Sequence, residues 1–151
     1  FGEETHRLSP ITSVSALIGL LLHTFFDGVA IASGFEVSNT LGVLLFTAVF
    51  LHKLPEGLTM ASLMLASGLG RARALLAAGA LGVATVLGVV ATSSLGPLRE
   101  HGLALAGGVT IYVAASNLVP EFQARRGWTM RRSFFGGVAA FFAARALLGA
   151  G

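Results

Sequence analysis

The chain has 151 residues, of which 54% are hydrophobic and 11% charged, and its mean hydropathy is +0.81. Soluble domains average about 25% charged residues, so this composition excludes an ordinary water-soluble domain and equally a disordered chain. There is no cysteine, which excludes disulfide frameworks, thiolate metal sites, iron–sulfur clusters and cysteine nucleophiles.

A helix needs about 20 apolar residues to cross the hydrocarbon of a bilayer. A first apolar segment covers about 11–34 and a second about 40–68, both interrupted by ionisable residues. The polar turn Glu36-Val37-Ser38-Asn39-Thr40 separates them, and its Ser or Asn can cap the second helix. Gly68-Leu69-Gly70, followed by Arg71, ends that helix. A third segment covers 72–95; residues 74–98 hold no Asp, Glu, Lys, Arg or His, and Gly96-Pro97 breaks the run. A fourth covers 102–121, and residues 102–120 are free of ionisable side chains. The polar stretch Gln123 to Arg132 leads into a fifth, about 131–149. No period-two alternation is present, and an open sheet cannot satisfy its edges in lipid. The expected fold is all-α, a polytopic transmembrane bundle of five spans forming a single domain over residues 1–151. The first segment lacks the basic flank and cleavage site of a signal peptide.

Basic residues orient the bundle. With five alternating spans, Arg7, Arg71, Arg73, Arg125, Arg126, Arg131 and Arg132 fall on one side and only Arg99 on the other. The positive-inside rule makes the arginine-rich side cytoplasmic. The N-terminus is expected inside and the C-terminus outside, in the inner (plasma) membrane of the cell. The net charge of +3 belongs to this rim, which meets the lipid bilayer; it gives no reason to invoke nucleic acid.

Two segments carry costly residues. The first reads His23-Thr24-Phe25-Phe26-Asp27-Gly28 and the second His52-Lys53-Leu54-Pro55-Glu56-Gly57. In each, a histidine and a carboxylate four residues later share one helix face. Ionisable groups at this depth face a polar interior and mark a functional site. If the turn is centred between Asn39 and Thr40, an antiparallel pair sets His23 level with Glu56 and Asp27 level with His52. Gly28 and Gly57 allow close helix approach beside that layer, and Pro55 frees the Leu51 carbonyl. Two imidazoles and two carboxylates suit a borderline divalent cation such as Zn²⁺, without separating it from Fe²⁺, Mn²⁺ or Co²⁺. The alternative is that each histidine merely pairs with an acid to hold the helices together.

At these residues the sequence resembles the ZIP (Zrt-, Irt-like) family of divalent metal transporters, in its bacterial zinc permease-like branch. The two histidine motifs are similar to those of the family's fourth and fifth helices. The run from Ala106-Gly107-Gly108 through Tyr112 to Leu118-Val119-Pro120-Glu121 is similar to its seventh. The resemblance implies that the chain corresponds to helices four to eight of an eight-helix fold. Helices one to three would then precede Phe1, so a fragment is expected. It implies metal ligation by His23, Asp27, His52 and Glu56. It also implies a second, adjacent metal site at the positions of Thr24 and Lys53, where this chain departs from the family pattern. An ammonium cannot ligate a metal, so Lys53 is expected to pair with Asp27 or Glu56 and to replace a second cation, leaving one bound metal; the alternative is that it snorkels.

Asn117 and Glu121 are candidates for the ion path. Glu121 can equally pair with Arg125, and His6 and His101 read as solvated residues. The expected activity is transport of a divalent metal cation, zinc first, into the cytoplasm, with the ion as substrate and the bilayer as environment; a homodimer stays open. A membrane-embedded metal-dependent hydrolase is the alternative, although there is no His-Glu-x-x-His pattern and no spare general base. A non-transporting structural subunit is a third reading. The protein is not expected to be an enzyme.

Overall fold

The computed structural model describes residues 10–118 and 128–147. The described residues are almost entirely helical, with no strand among them. The helices are α1 (Pro10–Val37), α2 (Asn39–Ala66), α3 (Arg71–Ser94), α4 (Gly96–Val113) and α5 (Trp128–Leu147); α4 runs on into a π-helical segment, Ala114–Leu118. Of these, α1, α2 and α3 are long and apolar enough to cross a membrane. Residues His6 and Glu121, singled out above, lie outside the described residues.

Local chemistry sets the helix ends. Ser38 adopts an extended backbone and its side chain accepts from the Leu41 N–H, at 3.1 Å. That fixes the start of α2 one residue after α1 ends. Gly68 takes φ +77° directly after α2, a left-handed conformation that a Cβ would strain. Pro55 lies inside α2 without ending it. The fourth helix begins at Gly96, not near residue 102 as expected, because Pro97 falls in the first turn of α4, where its missing N–H costs nothing. His101 is consequently an exposed residue of that helix.

The core lies between α1, α2 and α3. Met60, Met64, Ala74, Ala77 and Leu81 form its buried cluster, with Leu17, Leu20 and Leu21 of α1 packed against it. This cluster fills the half of the bundle nearer the α2–α3 turn. There the Ser13 and Ser67 hydroxyls hydrogen-bond each other, and Ser67 Oγ donates to the Leu63 carbonyl at 3.0 Å. Further along, α1 and α3 meet backbone to backbone. A Cβ on Gly28 would collide with the Thr85 carbonyl, and one on Gly88 with the Phe25 carbonyl. The two glycines form a reciprocal notch beside Asp27. Near the far ends, α4 crosses α1 at Gly102, over Ser33 and Val29. Arg99 joins the same ends, 3.4 Å from Glu36 and donating to the Ser93 carbonyl at 2.8 Å. The aromatic side chains of α5, Phe134, Phe135, Phe141 and Phe142, are exposed.

Gly57 was expected to act like Gly28, but nothing among the described residues lies within 4 Å of a Cβ placed there. The notch predicts a contrast between the two. Gly28→Ala or Gly88→Ala overpacks the α1–α3 seam and should cost about 1–3 kcal/mol, read as a lowered thermal midpoint in detergent. Gly57→Ala should leave the midpoint unchanged or slightly raised, since alanine is the better helix former.

Candidate metal centre

The motif residues sit at mid-span. At 1.5 Å rise per residue, His23, Asp27, His52 and Glu56 each lie about 15–20 Å from the nearer end of their helices. The antiparallel pairing brings Asp27 opposite His52: His52 Nε2 is 3.3 Å from Asp27 Oδ2. One turn back along α1, His23 Nε2 is 3.8 Å from Asp27 Oδ1. The two imidazoles lie nearly parallel, 6.2 Å apart at their centroids. One donor atom each from His23, Asp27 and His52 fall within 4.8 Å of one another. Asp27 is the most enclosed of the three, its side chain 7% exposed, against 19% for His23 and 45% for His52.

Backbone chemistry orients the second imidazole. His52 Nδ1 lies 2.9 Å from the Ala48 carbonyl oxygen, one helical turn back. A carbonyl only accepts, so Nδ1 carries the proton of that bond. In the neutral ring Nε2 then has a lone pair, and that lone pair faces a carboxylate oxygen. Two acceptors at this distance want a cation between them, either a second imidazole proton or a metal ion. Among the described residues, His23 Nδ1 is buried and has no hydrogen-bond partner.

Lys53 points into the same layer. Its ammonium donates to Asp27 Oδ2 at 3.0 Å and stands 2.9 Å from Glu56 Oε2. The second approach is short but off the angle that a hydrogen bond needs; neither Glu56 oxygen carries a hydrogen bond among the described residues. Glu56 is 9% exposed. Lys53 also lines an open, largely apolar groove of about 200 Å³ together with Ile31, Phe46, Val49, Phe50, Thr85 and Val86. The groove is largely apolar, and the ammonium lies against the two acids.

Of the four expected ligands, therefore, three come to one point and Glu56 stands against Lys53. Thr24 is fully buried and donates to the Leu21 carbonyl of its own helix at 3.1 Å. Asn117 belongs to the π-helical segment. Two contributors escaped the sequence reading. The Ala48 carbonyl aims His52, and its position four residues before a histidine was the available signal. Gly88 presses α3 on Asp27's helix; α3 also carries Gly79 and Gly82, and no spacing rule says which glycine faces which backbone.

A family model described as the ZIP zinc transporter matches residues 2–149: the chain belongs to the ZIP zinc transporter family. It is similar to zinc transporter ZIP9-A of Xenopus laevis, 30% identical over 122 residues, covering 73% of this chain and 40% of that protein. It is similar also to zinc transporter ZIP9 of Micropogonias undulatus, 30% identical over 122 residues, or 73% of this chain and 39% of that protein. Human zinc transporter ZIP4 is 32% identical over 123 residues, or 78% of this chain and 19% of that protein. The chain thus spans about 40% of the length of the ZIP9 relatives. No solved structure matches it.

Proposed function

We propose that this chain forms part of a membrane carrier that moves a divalent cation, Zn²⁺ in the first instance, into the cytoplasm, with the ion held in the mid-membrane layer of His23, Asp27, His52 and Glu56. The observation that carries this is the meeting of three donor atoms from two helices within 4.8 Å at mid-span. Two imidazoles and a carboxylate are a donor set for a borderline ion. The relatives are named as zinc transporters, which fits that choice. The arginine asymmetry supports a cytoplasmic N-terminus, and rocking of helix groups about a fixed site supplies alternating access.

Within this reading His23 and His52 supply neutral nitrogens and Asp27 supplies charge. Asp27 has two oxygens with different neighbours: Oδ1 faces His23, while Oδ2 faces His52 and Lys53. Lys53 then stands where a second cation would, and the site takes one metal.

Radiometal uptake into vesicles tests the carrier reading. Asp27→Asn and His52→Ala should each reduce uptake by at least about tenfold, the size of effect expected when a ligand or its close partner is lost; metal retained with no flux in the native protein would favour the hydrolase or structural reading. Acid should weaken binding, because protons compete for both imidazoles, and calorimetry across falling pH would read that loss. Lys53→Asp should raise the bound metal from one ion to two per chain by elemental analysis, and an unchanged stoichiometry would refute the single-metal reading.

A further inference from the structure

We propose that α1 and α2 form a hairpin that opens at one end only, with the Ser13–Ser67 hydroxyl pair as its clasp, and that this opening lets the ion out toward the Arg71 end of the bundle. The inference rests on the carrier reading given above and names the part that moves.

The two halves of α1 are held differently. From Phe25 onward the helix is pinned by close approaches of backbone. Gly28 and Gly88 interlock it with α3, Gly34 lies close against Gly42 of α2, and Gly102 of α4 presses on Val29 and Ser33. Ser38 then joins α1 to α2 covalently. Its N–H donates to the Gly34 carbonyl at 3.0 Å, and its own carbonyl accepts from the Gly42 N–H at 2.9 Å. Toward the Arg71 end, Gly19 has nothing within 4 Å of a Cβ placed there. That half of α1 rests on side chains: Leu17, Leu20 and Leu21 against the Met60–Met64 cluster, and Ser13 against Ser67, 54 residues away in sequence. A hairpin fixed at its turn parts at its open end.

That end lies on the way out of the ion layer. Met60 follows Glu56 by one helical turn and Met64 by two, while Leu20 and Leu21 come just before His23 on α1. Met60 and Met64 are buried, so the seam between the layer and the open end is filled with apolar side chains. Methionine repacks readily when such a seam parts. The clasp suits repeated opening. Ser67 Oγ keeps its bond to the Leu63 carbonyl, at 3.0 Å, when Ser13 withdraws, and a hydroxyl bond between membrane helices is weak enough to break in each cycle. Just after Ser67, a Cβ on Gly68 or Gly70 would meet nothing within 4 Å, which leaves the end of α2 room to swing.

The chain has no cysteine, so thiols can be placed at the clasp. In the full-length protein, Ser13→Cys with Ser67→Cys, oxidised by diamide, should form a disulfide and retain bound zinc. Its uptake into vesicles should fall at least about tenfold, as for a blocked conformational step, and return on reduction. Either single variant should be indifferent to diamide. In a second experiment Met64→Cys is exposed to a membrane-impermeant maleimide on the Arg71 side. Adding Ser13→Ala and Ser67→Ala should speed its labelling about threefold or more, the effect of losing one interhelical hydrogen bond. Undiminished uptake by the cross-linked protein would overturn the proposal. So would failure of the cross-link to form, or labelling that ignores the loss of both hydroxyls. Absence of uptake by the native protein would instead defeat the carrier reading, and the labelling rates would still judge the clasp.

Discussion

A carboxylate in the middle of a membrane must be neutralised, and the arrangement of this bundle follows from how Asp27 is. The acid is enclosed between helices, with His23 on its own helix and His52 and Lys53 on the next. Stranding a buried charge without its partners costs about 3–5 kcal/mol, so slippage between α1 and α2 is heavily opposed. One-residue economy at the turn helps: Ser38 alone separates the two helices and caps the second. On the other side, the Gly28–Gly88 notch holds α1 against α3 next to the acid. Polar pairing sets the depth of the helices, and backbone contact sets their distance.

Much of this was legible in the sequence, for reasons that can be stated residue by residue. Runs without charge reveal membrane helices because lipid leaves the backbone no other partner. The level pairing of Asp27 with His52 followed from the position of one polar turn, because α1 and α2 are continuous helices with a fixed rise. The start of α4 was misplaced because Gly-Pro reads equally as the end of one helix and the first turn of the next. The role of Gly88 was hidden for a different reason. Which glycine faces which carbonyl depends on how α1 and α3 cross, and a stripe of Gly and Ala along α3 offers several equivalent seams. Glu56 shares a helix face with His52 by its spacing, as expected, and the sequence did not show that Lys53 would stand 2.9 Å from it.

Lys53 illustrates how a costly residue acquires a definite orientation. A lysine at this depth is too far from either interface for easy snorkelling. It borders a largely apolar groove lined by Ile31, Phe46 and Phe50, surfaces that welcome methylene groups and reject an ammonium. Its head is left with Asp27 and Glu56. The apolar groove and the acid pair are therefore two halves of one constraint, the first repelling the charge and the second receiving it.

A pairing device and a loading site use the same residue types, but they differ in what they leave unfilled. Side chains that only hold helices together gain most when each polar atom is matched, because an unmatched buried group costs about 1–3 kcal/mol. Here, among the described residues, His23 Nδ1 and both Glu56 oxygens lack hydrogen bonds. The bond from His52 Nδ1 to the Ala48 carbonyl turns the neutral ring's lone pair toward an anion. The best matched member is Asp27, and its partners include the two imidazoles that would join it around an ion. This pattern is poor design for a lock. It fits the carrier proposed above, in which the complement of the unmatched atoms would be a cation that arrives and leaves.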